Sequence, residues 1–241
     1  MAVDIIKTMN IEAKSPLIIV GFPGIGLVGS VATAYFVEKN GFKMAGYVTS
    51  NEFAPLAAIH NYLPLPPARI YYSKEKNMLV VLSEIVVPVA VSNELAAKIL
   101  ELAKELKSSK IISVGGISLK EADNAVYLVS NEKSEVDSLI SKKIGRSIKE
   151  GATTGVTGTL LALGGVTGYS ILAVLAEASP DFVDPKAAAN ALQTLSKIID
   201  MPINTLELEK EARILAQGAK ESAIKSKAMN KKSGPSGGMY G

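Results

Sequence analysis

A short apolar run, Leu17-Ile-Ile-Val-Gly21, sits between Pro16 and a Gly-Phe-Pro-Gly turn. Nothing else in the chain constrains the fold as tightly. An unbroken apolar stretch of this length, closed by turn residues, reads as a strand buried in a sheet. A helix is expected straight after it, from about Leu27 to Lys39. Further along, Met44 to Thr49 reads as a strand, and Ile70–Ser73 with Met78–Ser83 as a hairpin around Lys74–Asn77. Ser92 reads as the N-cap of a helix from Asn93 to Leu106, with Leu95, Ile99, Leu102 and Leu106 along one side. Strands follow at Ile111–Val114, ending at Gly115-Gly116, and at Val126–Val129 and Ile171–Leu175. Asp184 and Pro185 start a helix to Ile199. A last helix, from about Thr205 to Met229, begins with acidic residues and ends in lysines, as the helix dipole favours. Strands alternating with helices predict an α/β fold: three layers, with a mostly parallel sheet covered by helices on both faces.

This organisation divides the chain into a core over 1–204, a helix over 205–229 and a tail over 230–241. The tail segment Asn230–Gly238 (NKKSGPSGG) has no apolar residue, so its composition predicts a flexible tether. Met239, Tyr240 and Gly241 follow it. A large apolar side chain, an aromatic hydroxyl and a terminal carboxylate make a compact docking peptide: one fills a greasy slot, one adds ring area, one meets a lysine or backbone N–H groups.

Composition removes several chemistries. There is no cysteine, so disulfides, thiolate nucleophiles and cysteine metal sites are excluded. A single histidine, His60, leaves little for a zinc site or a Ser-His-Asp triad, and no metal or cofactor is expected. The formal net charge is +3, with five Lys and one Glu between Lys220 and Gly241. That stretch has no Arg and no aromatic residue except Tyr240, which argues against nucleic-acid binding. Gly151–Ala176 carries no charge over 26 residues, long enough to span a bilayer. Its six Gly and five Thr suit a packed turn, helix and strand instead, so no membrane span is expected. Met1–Lys14 mixes charges with short apolar runs and does not read as a signal peptide, which points to the cytoplasm.

Gly24-Ile-Gly26-Leu-Val-Gly29 is a G-x-G-x-x-G between the first strong strand and a helix. Such glycines allow close backbone approach to a phosphate at a helix N-terminus, or close helix–strand packing with no ligand at all. Ligands of parallel sheets collect at the carboxyl ends of strands, where this chain offers Gly24, Gly26, Glu52, Glu84 and Gly115-Gly116. Glu52 and Glu84 beside glycine loops could support acid–base chemistry, or could mark where strands leave the core. No catalytic constellation emerges from these residues.

Several segments together resemble the archaeal branch of the proteasome assembly chaperone family, type two. They are Pro23–Gly29, Gly115-Gly116 after a strand, Gly151-x3-Gly155-x2-Gly158 before Leu160-Leu161, and Leu175–Pro180 leading to Asp184–Ala189 and a leucine-rich helix. The resemblance covers roughly Lys14 to Glu209. It implies a nucleoside-phosphorylase-like core that assembles into homo-oligomers and has no established catalytic activity. Met239-Tyr240-Gly241 is similar to the hydrophobic–tyrosine–any-residue terminus of proteasome activators and some assembly chaperones. Carried over, Met239 is the apolar anchor, Tyr240 the key side chain and the Gly241 carboxylate the partner of a pocket lysine between α-subunits of the core particle. The implied function is aid to α-ring assembly or opening of the gate. The alternative is a phosphorylase-like binding protein or enzyme that uses the Gly24–Gly29 loop.

Overall fold

The computed structural model describes residues 2–119 and 123–214. The strands are β1 (Val3–Lys7), β2 (Leu17–Gly21), β3 (Lys43–Ser50), β4 (Ala58–His60), β5 (Leu63–Leu65), β6 (Ala68–Ser73), β7 (Met78–Ser83), β8 (Lys110–Ile117), β9 (Val126–Ser130), β10 (Arg146–Ser147) and β11 (Ile171–Glu177). The helices are α1 (Val28–Lys39), α2 (Val89–Glu105), α3 (Lys133–Ser141), α4 (Gly155–Thr167) and α5 (Pro185–Ile198). Residues 206–214 are also helical.

Nine strands form one sheet in the order β1-β3-β6-β7-β2-β8-β11-β9-β10, and β4 pairs with β5 apart from it. The four central strands β7, β2, β8 and β11 run parallel. Toward one edge β6, β3 and β1 alternate in direction, and toward the other β9 is antiparallel to β11. The parallel character is therefore confined to the centre, and to the short β9–β10 pairing. The reason is local: tight connections such as Lys74–Asn77 can join only antiparallel neighbours, whereas parallel ones need a helical crossover.

Because side chains alternate along a strand, each central strand feeds two cores. Ile19, Val80, Leu82, Ile112, Val114, Leu172 and Val174 pack with α1, α3 and α5. Ile18, Val20, Leu79, Val81, Ile111 and Ile171 pack with α2 and α4 on the opposite face. Each such side chain, when fully buried, stabilises the fold by about 1.5–3 kcal/mol. The layers are thus α/β/α, as the alternating pattern predicts. Among the described residues no helix is long and apolar enough to cross a membrane. The uncharged Gly151–Ala176 stretch resolves into α4 and the fully buried β11.

Asp184 caps α5 as expected, its side chain accepting from the Ala187 amide at 2.9 Å with Pro185 in the first turn. Ser92 is not an N-cap: α2 starts a turn earlier, after Pro88, and the Ser92 hydroxyl donates back to the Pro88 carbonyl at 3.0 Å. Nor does β8 stop at Gly115-Gly116. It continues to Ile117 because β11 pairs with it along that whole length. The chain enters the last helix at Thr205, whose hydroxyl bonds Glu209 at 3.0 Å, and Leu208 anchors that helix in the core. Residues 215–229 of the expected helix lie outside the described residues.

Candidate functional site

The carboxyl ends of β7, β2, β8 and β11 share one edge of the sheet, and the turns that leave them hold the residues singled out above. Gly24 has extended backbone, and a side chain added there would meet nothing within 4 Å. Gly26 is different, with φ at +61° and a hypothetical Cβ 2.7 Å from the Ala178 Cβ. Its carbonyl accepts from the Asp184 amide at 2.9 Å. A Cβ on Gly29 would stand 2.6 Å from the Phe22 carbonyl oxygen and 2.7 Å from that of Val114. One on Gly116 would be 2.0 Å from the Ile25 oxygen. The glycines therefore let the loop lie directly on β8 and on the segment that follows β11. Close packing accounts for Gly26 and Gly29 without a ligand.

This gives a test at two positions. Gly29→Ala forces backbone atoms apart and should destabilise by about 1–3 kcal/mol, as overpacking does. Gly24→Ala should stay within about 0.5 kcal/mol of the parent, like other open surface sites. Thermal unfolding of both variants checks the contrast, and equal losses would show that the loop is not held by this packing.

Glu52 and Glu84 lie at the same edge, but no described hydrogen bond or ion pair links them. Glu52 is exposed in the turn after β3, its amide donating to the Ser50 hydroxyl at 3.1 Å. Glu84 is held by two partners that the sequence did not connect with it. Arg69, on β6 and only 2% exposed, donates through Nη2 to Glu84 Oε1, and through Nη1 to the Pro66 carbonyl at 2.9 Å. His60, at the end of β4, places Nε2 2.8 Å from Glu84 Oε1 and 3.3 Å from Arg69 Nη2. The shorter contact makes His60 Nε2 a donor to the carboxylate. The Arg69 guanidinium also lies 5.8 Å from the centre of the Tyr71 ring.

This cluster is a clasp, not an acid–base pair. Arg69 and His60 together occupy the Glu84 oxygens, so the carboxylate is engaged within the protein and poorly placed to meet a substrate. What the clasp does is mechanical: it ties the β4–β5 hairpin to the ends of β6 and β7. The one available signal is that the sole histidine lies within Phe53–Ala68, a stretch without Asp, Glu, Lys or Arg, and that one of only three arginines directly follows it.

At the end of β11, Glu177 is buried and accepts from the Asp123 amide at 2.9 Å. A hydrogen bond with Glu177, and then the Arg146 guanidinium, hold the Asp123 carboxyl below the usual aspartate range. A cleft of about 1050 Å³ lies between the start of α5 and the last helix, lined by Phe182, Val183, Pro185, Asn190, Ala212 and Arg213. Among the described residues no group of three or more His, Asp or Glu is placed to hold a metal ion. Met239, Tyr240 and Gly241 lie outside the described residues.

A family model described as the PAC2 family matches residues 18–223. An uncharacterized protein of Methanocaldococcus jannaschii is 29% identical over 235 residues, 98% of this chain and 97% of its own length. Two crystal structures from Pyrococcus furiosus superpose over nearly the whole chain. PbaA, described as an archaeal homolog of proteasome-assembly chaperone, has a TM-score of 0.84 at 27% identity, covering 96% of each chain. PbaB, described as an archaeal proteasome activator, has a TM-score of 0.81 at 25% identity, covering 92% of this chain and 99% of its own.

Proposed function

The chain belongs to the PAC2 family, and from that premise we propose that it is a non-enzymatic chaperone or activator of the proteasome core particle. On this reading it works in the cytoplasm as a homo-oligomer. A core over residues 1–204 and a helix over 205–229 present a docking tail over 230–241. Met239 supplies the apolar anchor, Tyr240 the principal side chain and Gly241 the carboxylate, and together they enter pockets between neighbouring α-subunits. The consequence is either help to α-ring assembly or a gate biased open. The observation that carries the reading is the likeness, over nearly all of both chains, to one protein described as a proteasome-assembly chaperone homolog and another described as a proteasome activator. The packing role of Gly26 and Gly29 supports it from the other side, since it removes the need for a ligand at that loop.

The experiment is native mass spectrometry of the protein mixed with the core particle of its own organism, beside a chain truncated after Gly238. A complex formed by the full chain and lost on truncation is the expected result. No complex with either form would overturn the docking reading. A complex that survives truncation would move the contact to the globular core.

A further inference from the structure

The β4–β5 hairpin stands outside the main sheet and carries an apolar surface with nothing over it. Leu56, Ile59, Tyr62 and Leu63 are all exposed, Tyr62 to 98%, and residues 53–68 contain no Asp, Glu, Lys or Arg. An isolated two-stranded hairpin is only marginally stable in water; the His60–Glu84 contact and the Arg69–Pro66 hydrogen bond help fasten this one to the body.

Its backbone is more specific than its side chains. The turn residues Asn61 and Tyr62 have φ of +49° and +69°, the two positive values that a two-residue type I′ turn demands. The flanking pair His60–Leu63 is then the hydrogen-bonded one, and in the next pair, Ile59–Pro64, the main-chain polar groups point away from the partner strand. Proline has no N–H, so the outer edge of β5 has no donor there. The outer edge of β4 has both a donor and an acceptor, and both belong to Ile59. Among the described residues neither group has a partner outside the hairpin. By contrast, the outer strands of the large sheet are guarded by charge: Lys7 of β1 pairs with Glu105, and Arg146 of β10 pairs with Asp123.

We infer that the edge of β4 is a self-association surface, and that its occupant is β4 of a second copy of this chain. An edge whose only outward donor and acceptor sit on one residue is satisfied by the same residue of a copy. Antiparallel pairing about a two-fold axis at Ile59 exchanges both hydrogen bonds, and it brings the two uncharged surfaces together. Exposed Val86 and Val89, just past Glu84, extend the apolar area beside the hairpin. The inference deepens the homo-oligomer of the proposed function and rests on that reading.

The chain has no cysteine, which makes the test direct. In a hydrogen-bonded antiparallel pair the facing Cα atoms are about 5.5 Å apart, inside the range of about 4.4–6.8 Å that a disulfide spans. Ile59→Cys should therefore give a covalent dimer on mild oxidation, while Val166→Cys, an exposed position on α4, should not. Ile59→Lys and Ile59→Asp should each dissociate the contact, and an equimolar mixture of the two should restore it, with masses read by native mass spectrometry. An oligomeric parent that Ile59→Lys leaves intact and Ile59→Cys does not cross-link would overturn the β4 contact and leave oligomerisation standing. A monomeric parent would overturn both.

Discussion

Replacing Glu84 with leucine should lower the stability of the fold by about 3 kcal/mol, the low end for breaking a buried ion pair from one side. The cost comes from what remains. Arg69 is 2% exposed and cannot lose its charge, and without Glu84 its Nη2 has only the weak contact with His60. The Glu84 side chain is 24% exposed, so water can relieve part of the loss, which is why the low end applies. At about 2–4 °C per kcal/mol for a chain of this size, the melting temperature should fall by about 6–12 °C. Arg69→Met should cost less, because the carboxylate it strands can reach solvent. The double variant Arg69→Met, Glu84→Leu should recover much of the loss, since a pair replaced by apolar side chains no longer buries a charge. Limited proteolysis adds a local readout: Glu84→Leu should expose the stretch 53–66 to cleavage before the rest of the chain unfolds. A Glu84→Leu protein that melts with the parent and resists cleavage would mean that the hairpin is held by its other contacts.

The elements the sequence made legible are those whose burial is complete or whose ends carry strong signals. β2 was visible because both of its faces are buried, which removes polar residues from the run. The β6–β7 hairpin was visible through Lys74–Asn77, and α5 through Asp184 and Pro185. The elements that escaped reading gain their place from tertiary contacts. β1 has one buried residue, Val3, and otherwise half-buried or exposed positions, so no pattern marks it. α3 buries only Val136 and Leu139. The β4–β5 hairpin lacks the glycine that usually marks a type I′ turn, with Asn61 and Tyr62 in its place.

The edge site divides along the same line. The sequence reading puts Gly24, Gly26 and Glu84 just past strand ends, where the structure also has them, because strand ends follow from turn chemistry. It could not show that Gly29 faces two carbonyl oxygens, or that Arg69 reaches Glu84 from the neighbouring strand. Those relations depend on which strands are neighbours, and the order β6-β7-β2 is a property of the sheet. Glycine spacing alone cannot tell a phosphate loop from a packing loop, since both need a bare backbone at the same positions.

The Ile59→Lys protein should also lose apparent affinity for the core particle, by about 10²–10⁴-fold, although its tail sequence is unchanged. A three-residue plug gives little binding by itself. Joining tails in one particle makes each docking after the first intramolecular, and avidity of that size follows when their spacing fits the pockets. Tyr240→Ala should show the opposite division, with core-particle binding lost and the oligomer mass kept. Measuring both variants for oligomer mass and for binding separates the two surfaces, because each variant should fail in its own way. Adding residues after Gly241 gives a third arm: it leaves Met239 and Tyr240 in place but removes the carboxylate at that position, so binding should fall while the oligomer persists. If Ile59→Lys dissociates the oligomer yet binds the core particle as the parent does, a single copy is sufficient. The affinity would then have to come from the globular core, and the cleft beside α5 would become the surface to test.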